Sequence, residues 1–247
     1  MLTFVIPNII KRTSFSEYGK AFFTYIHYER NGVKNLHTEI TVNILSFIGI
    51  SAFAASGAMV GIKRKADLLG VLVLAATTAT GGGVLRDILL GFTPPKIFLN
   101  PSYFFIAIAV GFTLFLAAYH HSDGYYEKAD FIERANNIFD ALGLGVFVSL
   151  GTQTAINSGY SHNMFLAVTI GTITGVGGGF LRDIMVLTVP LILRKHIYAT
   201  AAISGSIVFY ILHLFSAGYG ISLIISTLVT FSLRMFATYF KWNLPTA

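Results

Sequence analysis

The chain is predicted to be an all-α membrane protein of seven transmembrane helices, arranged as an inverted 3+3 repeat with one C-terminal helix appended. Three observations predict this. Of 247 residues, 54% are hydrophobic and 11% charged, and mean hydropathy is +0.70, whereas a soluble domain carries roughly 25% charge. The apolar residues gather into seven runs, each close to the length of about 20 residues that a helix needs to cross a hydrocarbon core. Finally, the string Gly81-Gly82-Gly83-Val84-Leu85-Arg86-Asp87-Ile88-Leu89-Leu90 returns 96 positions later as Gly177-Gly178-Gly179-Phe180-Leu181-Arg182-Asp183-Ile184-Met185-Val186, with seven of ten residues identical.

An N-terminal tail, 1–38, precedes the first run. Met1 to Ile10 is short and interrupted by Pro7, so no secretory signal is expected. Phe15, Tyr18, Phe22, Tyr25 and Ile26 recur at three-to-four-residue spacing, the pattern of an interfacial amphipathic helix; a loose tail is the alternative. The first repeat, 39–121, is predicted to hold spans at 40–62, 68–90 and 102–119. A cytoplasmic linker, 122–137, leads to the second repeat, 138–216, with spans at 138–157, 164–188 and 198–215. The last segment, 217–247, contributes the seventh span at 219–240. A transmembrane barrel would instead alternate over segments of about ten residues, and these runs are continuous.

Loop charge sets the orientation. Lys63-Arg64-Lys65, Lys128 with Arg134, Arg194-Lys195 and Lys241 fall on one side by parity, which the positive-inside rule makes cytoplasmic. The other side has only Lys96 in its short loops, together with the basic tail residues Lys11, Arg12, Lys20, Arg30 and Lys34. The expected product is a multi-pass inner-membrane protein with its N-terminus outside and its C-terminus inside. The formal charge of +6 is read as contact with membrane lipids rather than with nucleic acid. Cysteine is absent and the seven histidines form no carboxylate-supported set, so neither metal nor other cofactor is expected. No nucleophile stands with a base, and neither glycine triplet has the lysine of a P-loop; no enzyme is expected.

The repeat unit holds three spans, and an odd number inverts whatever follows it. Inverted repeats of this kind are characteristic of transport proteins, with sites near the midplane where the halves meet. The correspondence extends to Thr78 with Thr174 and Pro94 with Pro190. Three consecutive glycines forfeit about 3 kcal/mol of helical preference, which predicts a break or kink at Gly81–Gly83 and at Gly177–Gly179. Such breaks would free carbonyls near the hydroxyls of Thr77, Thr78, Thr80, Thr172 and Thr174 and so form a hinge or pore lining. Gly57, Gly61, Gly171 and Gly175 are read as packing residues. Arg86 with Asp87, and Arg182 with Asp183, are sequence neighbours that do not face each other on a helix, so each is expected to reach another helix or to line water. Asp140, at the start of span four, is a further charged candidate for the pathway or its gate. The alternative is that these charges only lock the halves together.

Six blocks in order resemble a known family. They are Ala54-Ala55-Ser56-Gly57-Ala58, the first triplet with Arg86-Asp87, Thr93-Pro94-Pro95, Asp140-Ala141-Leu142-Gly143-Leu144, the second triplet with Arg182-Asp183, and Val189-Pro190-Leu191 through Arg194-Lys195 to Tyr198-Ala199. The chain resembles, from about Asn43 to Leu214, the bacterial UPF0126 membrane proteins, which are related to trimeric intracellular cation (TRIC) channels. The resemblance implies a homotrimer with a water-filled pathway in each protomer, kinked at the triplets and lined or braced by the Arg-Asp pairs, that passes potassium or other monovalent cations. The Lys-Glu-Val tripeptide of animal members is absent, so a phosphoinositide site is not expected. The same domain also carries a glycine-transporter label, and the motif chemistry fits a carrier of glycine or another small amino acid as the alternative. A non-transporting scaffold is a third possibility.

Overall fold

In the computed structural model, which describes residues 36–120, 129–194 and 197–242, seven helices are long and apolar enough to cross a membrane. They are α1 (Leu36–Lys63), α2 (Leu68–Leu89), α3 (Ser102–His120), α4 (Ala129–Ala155), α5 (Met164–Met185), α6 (Ile197–Leu214) and α7 (Tyr219–Tyr239). All belong to the unit Lys34–Ala247. The aromatic stretch Phe15 to Tyr28 lies outside the described residues. Helix α4 begins nine residues before the predicted start at 138, because Asp130, Glu133 and Arg134 extend it as a polar turn beyond the apolar run. There Glu133 pairs with Lys63 at 3.0 Å. The helix then passes into a π-helical turn, Ile156–Tyr160, that contains Gly159 at φ +95°.

The inverted repeat is written in reciprocal contacts. Helices α1, α2 and α3 pack on one another as α4, α5 and α6 do, and the halves meet through α1 on α4 and α2 on α5. Phe53 stacks on its counterpart Phe147, with centroids 5.2 Å apart and planes 10° apart. A Cβ on Gly82 would collide with the carbonyl oxygen of Thr174, and a Cβ on Gly178 with that of Thr78. A Cβ on Gly81 would meet Leu181 Cδ1 at 2.7 Å, and one on Gly177 would meet Leu85 Cδ1 at 2.9 Å. The pseudo-twofold axis therefore runs through an antiparallel crossing of α2 and α5 made backbone to backbone.

Of the expected break or kink, the crossing explains why no break forms. Helix α2 continues through Gly81–Gly83 to Leu89, and α5 through Gly177–Gly179 to Met185. A break in an apolar setting would orphan several carbonyls at a few kcal/mol each, which outweighs the roughly 1 kcal/mol that each glycine forfeits. The hydroxyls follow the same logic: Thr78 donates to Leu74 O at 2.6 Å, Thr174 to Ile170 O at 2.6 Å and Thr80 to Ala76 O at 2.8 Å. Gly57 and Gly61 bring α1 onto α2, and Gly171 and Gly175 bring α5 onto α4, as packing residues should.

Both helices end in the same Schellman turn. Gly91 N–H donates to Ile88 O and Phe92 N–H to Asp87 O, and 96 residues on, Leu187 donates to Ile184 O and Thr188 to Asp183 O. The left-handed residue of that turn is Gly91 at φ +77° in the first half and Leu187 at φ +53° in the second.

Helix α7 has no counterpart among the described residues. It packs on α4 and α6 through a hydroxyl seam in which Ser149 Oγ lies 2.9 Å from Ser226 Oγ and 3.1 Å from Thr227 Oγ1, while Ser226 donates to Gly205 O at 2.8 Å.

The three glycines of a triplet are predicted to differ sharply on substitution. Gly82→Ala and Gly178→Ala force the crossing apart and cost about 1–3 kcal/mol or more as overpacking. Gly83→Ala, whose Cβ would meet only Arg86 Nη2 at 3.8 Å, gains up to about 1 kcal/mol of helix preference. Thermal unfolding in detergent checks the order, and equal shifts at Gly82 and Gly83 would contradict the close-crossing role.

Candidate functional site

The Schellman turns fix the Arg-Asp pairs. Each aspartate accepts a loop N–H on one carboxylate oxygen: Asp87 Oδ2 from Lys96 at 2.9 Å, and Asp183 Oδ2 from Leu191 at 2.8 Å. The other oxygen holds the preceding arginine. Arg86 Nε lies 2.9 Å and Nη2 2.8 Å from Asp87 Oδ1, and both Arg182 Nε and Nη2 lie 2.9 Å from Asp183 Oδ1. The expectation that these neighbours would not pair is corrected, since the arginine stem is long enough to fold back round the helix to the next carboxylate, but Arg182 also reaches two other helices as expected. Because α2 and α5 are antiparallel, Arg86 and Arg182 lie on opposite sides of the crossing.

The α5 end is a dense, dry network. Arg182 Nη1 donates to Asp140 Oδ1 on α4 at 2.9 Å and to Ser56 Oγ on α1 at 2.6 Å, and Ser56 in turn donates to Asn136 Oδ1 at 2.8 Å. Arg182 and Asp140 are each 1% exposed. One side chain thus ties α1, α4 and α5 together. From α7, Arg234 places Nη2 4.0 Å from Asp140 Oδ2 and its guanidinium 4.7 Å from the Tyr198 ring centroid. Two arginines and two aspartates balance in charge, the condition under which buried ions are tolerated. Among the described residues, Asp140 Oδ2, Tyr198 Oη and Arg234 Nε nevertheless find no hydrogen-bond partner.

The α2 end is built differently. Arg86 has Asp87 as its partner among the described residues, and its side chain is 14% exposed. Lys96, in the loop, sets its ammonium 4.4 Å over the Phe92 ring. Desolvation, followed by repulsion from Arg86, lowers the Lys96 pKa from the usual lysine value, with Asp87 opposing.

The last glycine of each triplet faces these charges. A Cβ on Gly179 would lie 3.0 Å from Tyr198 Oη, 3.6 Å from Arg182 Nη2 and 3.6 Å from Asp140 Oδ1. Of the predicted residues, then, Gly179, Arg182, Asp183 and Asp140 converge at one end, and Gly83, Arg86 and Asp87 gather at the other. Gly81, Gly82, Gly177, Gly178, Thr78 and Thr174 form the crossing between them. Ser56, Asn136, Tyr198 and Arg234 were not singled out as charged-pathway residues. Arg234 had a usable signal, since a charge inside an apolar span is costly and marks a site by default; Ser56 had none.

Fold and site together define a polytopic α-helical membrane protein of the inverted-repeat class, with an arginine-aspartate turn on either side of a central crossing. The family model described as Glycine transporter matches residues 43–119 and 137–214. The UPF0126 inner membrane protein YadS of Escherichia coli (strain K12) is 34% identical over 204 residues, 82% of this chain and 94% of that protein. Among solved structures, a TRIC cation channel is 40% identical with a TM-score of 0.71, covering 83% of this chain and 96% of that one. The TRIC trimeric intracellular cation channel orthologue from Rhodobacter sphaeroides is 30% identical with a TM-score of 0.72, covering 81% and 98%. The chain belongs to the UPF0126, or glycine-transporter, family of membrane proteins and shares the TRIC fold.

Removing Asp140 is predicted to be far more damaging than removing Arg234. Asp140→Asn strips Arg182 of a buried counter-charge, a loss of about 3–5 kcal/mol. Arg234→Met leaves the 2.9 Å bond between Arg182 and Asp140 in place but removes a cation 4.0 Å from the other Asp140 oxygen, so it destabilises by less than Asp140→Asn, which breaks the shorter, hydrogen-bonded pair. Unfolding midpoints of the two variants test this, and a greater loss in Arg234→Met would overturn it.

Proposed function

We propose that this protein is a channel for monovalent cations, potassium foremost, working as a homotrimer with one pathway per protomer. The observation that carries the reading is the likeness to TRIC cation channels at 30–40% identity and TM-scores of 0.71–0.74 over four-fifths of the chain. With helices that run unbroken through Gly81–Gly83 and Gly177–Gly179, ions would pass beside the α2–α5 crossing rather than through gaps in it. Thr78 and Thr174 then serve the crossing, and Arg86, Asp87, Arg182, Asp183 and Asp140 line or brace the path. Arg182, bound to α1, α4 and α5 together, acts as the latch of one end. The membrane is the inner one, with the N-terminus outside and the C-terminus in the cytoplasm. Residues 39–121 and 138–216 form the two inverted three-helix repeats, 122–137 links them on the cytoplasmic side, and 217–247 adds the seventh helix.

A second reading, a carrier of glycine or another small amino acid, is favoured by the description of the matching family model. Planar bilayers with purified protein under a potassium gradient, run beside uptake of labelled glycine into proteoliposomes, separate the two. The channel gives unitary currents that reverse at the potassium potential. Saturable glycine uptake without such currents overturns it.

The latch makes a further prediction. Ser56→Ala removes one hydrogen bond to a charged group, worth about 1.5–3 kcal/mol, so the open fraction should rise roughly tenfold or more. An unchanged open probability in single-channel records would rule out Arg182 as the latch.

A further inference from the structure

The two ends of the α2–α5 crossing are related by symmetry in backbone but not in charge. Arg86 folds onto Asp87 as Arg182 folds onto Asp183, with Nε to Oδ1 distances of 2.9 Å in both. The Nη1 atoms are therefore presented alike. Around Arg182, Nη1 meets the Asp140 carboxylate and the Ser56 hydroxyl. Around Arg86, no described residue bonds Nη1.

The missing partners can be named. Helices α1 and α4 correspond at an offset of 94: Phe53 stacks on Phe147, Gly49 lies against Val146 and Phe147 as Gly143 lies against Phe53, and Gly57 and Gly151 face the hydroxyls of Thr78 and Thr174. At that offset Ser46 takes the place of Asp140, and Leu150 takes that of Ser56. The first half thus keeps the arginine and has lost the second carboxylate and one hydroxyl. Asp87 is consumed, with one oxygen on Arg86 and the other on the Lys96 N–H. Among the described residues, Arg86 and Lys96 share the one carboxylate of Asp87, which is 2% exposed, so this group carries one positive charge more than it answers. An excess positive charge in a largely desolvated place calls for a counter-ion.

We propose that the α2 end is a binding site for a small monocarboxylate anion, whose carboxylate sits on Arg86 Nη1 in the position that Asp140 occupies toward Arg182. Ser46, with two side-chain heavy atoms fewer than an aspartate, would leave room for it and offer a hydroxyl donor, while Leu150 in the place of Ser56 would supply no second donor. That small donor set suits the two oxygens of a carboxylate better than the three or four of a phosphate. The Arg182 end takes no such ligand, since its own carboxylate fills the place. Bound anion would give the α2 end the charge balance that the α5 end has built in. The inference concerns binding and stands apart from the choice between channel and carrier.

Saturation-transfer NMR with acetate on the purified full chain in detergent, at constant potassium chloride, tests it. The expected result is a saturable acetate signal in the native protein that falls at least tenfold in Ser46→Asp, which supplies the carboxylate covalently, and in Arg86→Gln. Arg86→Lys, which keeps the charge and loses the fork, should weaken binding several-fold. Ser46→Asp should also unfold at a higher temperature than the native protein in acetate-free buffer. If Ser46→Asp does not fold, Arg86→Gln and Arg86→Lys decide alone. No saturable acetate signal, or an undiminished one in the folded variants, would overturn the proposal. So would inorganic phosphate displacing acetate at lower concentration than acetate itself binds, which would mark a phosphate or lipid-headgroup site.

Discussion

The contact on which this structure depends is the backbone crossing of α2 and α5, where Gly82 lies under the Thr174 carbonyl and Gly178 under that of Thr78. No side chain fits there, so the halves approach as closely as two helices can. Dispersion between backbones then replaces the hydrophobic driving force that lipid does not supply. Everything on either side is positioned by it. Four residues on from Gly82 comes Arg86, and four on from Gly178 comes Arg182, about 6 Å along the axis in opposite directions. The stacked pair Phe53 and Phe147 sits on the same pseudo-twofold relation and holds α1 against α4.

Symmetry ends where α7 and Asp140 begin. Helix α4 is the most enclosed of the spans, covered by α7 as well as by its repeat partners. A carboxylate on it can therefore stay dry, and there it meets two arginines, one from the repeat and one from the added helix. Among the described residues α1 meets α7 only over a short stretch near Thr41 and Gly220, and its position corresponding to Asp140 carries only the hydroxyl of Ser46. The appended helix thus does more than fill a lipid-facing groove, because Arg234 allows one end of a symmetric scaffold to differ electrostatically from the other.

Much of the fold was legible in the sequence because it rests on two strong signals. Apolar run length located the spans within a few residues, and the odd-numbered repeat fixed the inversion. The start of α4 was missed because its first turns are polar, so hydropathy could not see a helix that extends past the membrane. Helix propensity misled at the triplets. It weighs each glycine against alanine in an isolated helix, whereas here the competing cost is the exposure of carbonyls to an apolar surround and the gain is close crossing. The spacing rule for helical pairs misled at Arg86-Asp87 and Arg182-Asp183, since it treats residues as points on a surface and ignores the reach of a guanidinium. Ser56 was invisible for a different reason: a small hydroxyl among alanines and a glycine gives no warning that it accepts from a buried arginine.

Continuous helices also constrain any motion linked to transport. A broken span could flex at its glycines, but α2 and α5 are continuous helices in close contact at Gly82 and Gly178, so in the proposed channel opening would come from what leans against them. On the α5 side the link is Arg182, which bonds α1 and α4 from its seat on Asp183. The seat itself is fixed, since Asp183 also holds the loop through Leu191, and the guanidinium cannot leave it without exposing that carboxylate. The separable contact is therefore the one to Asp140 and Ser56. Arg234 lies 4.0 Å from the other oxygen of Asp140, near enough to take up that carboxylate once Arg182 releases it. In the proposed channel, a switch of partner between two arginines would keep the buried acid compensated throughout, and so would avoid the several kcal/mol that an unpaired buried charge adds to a barrier.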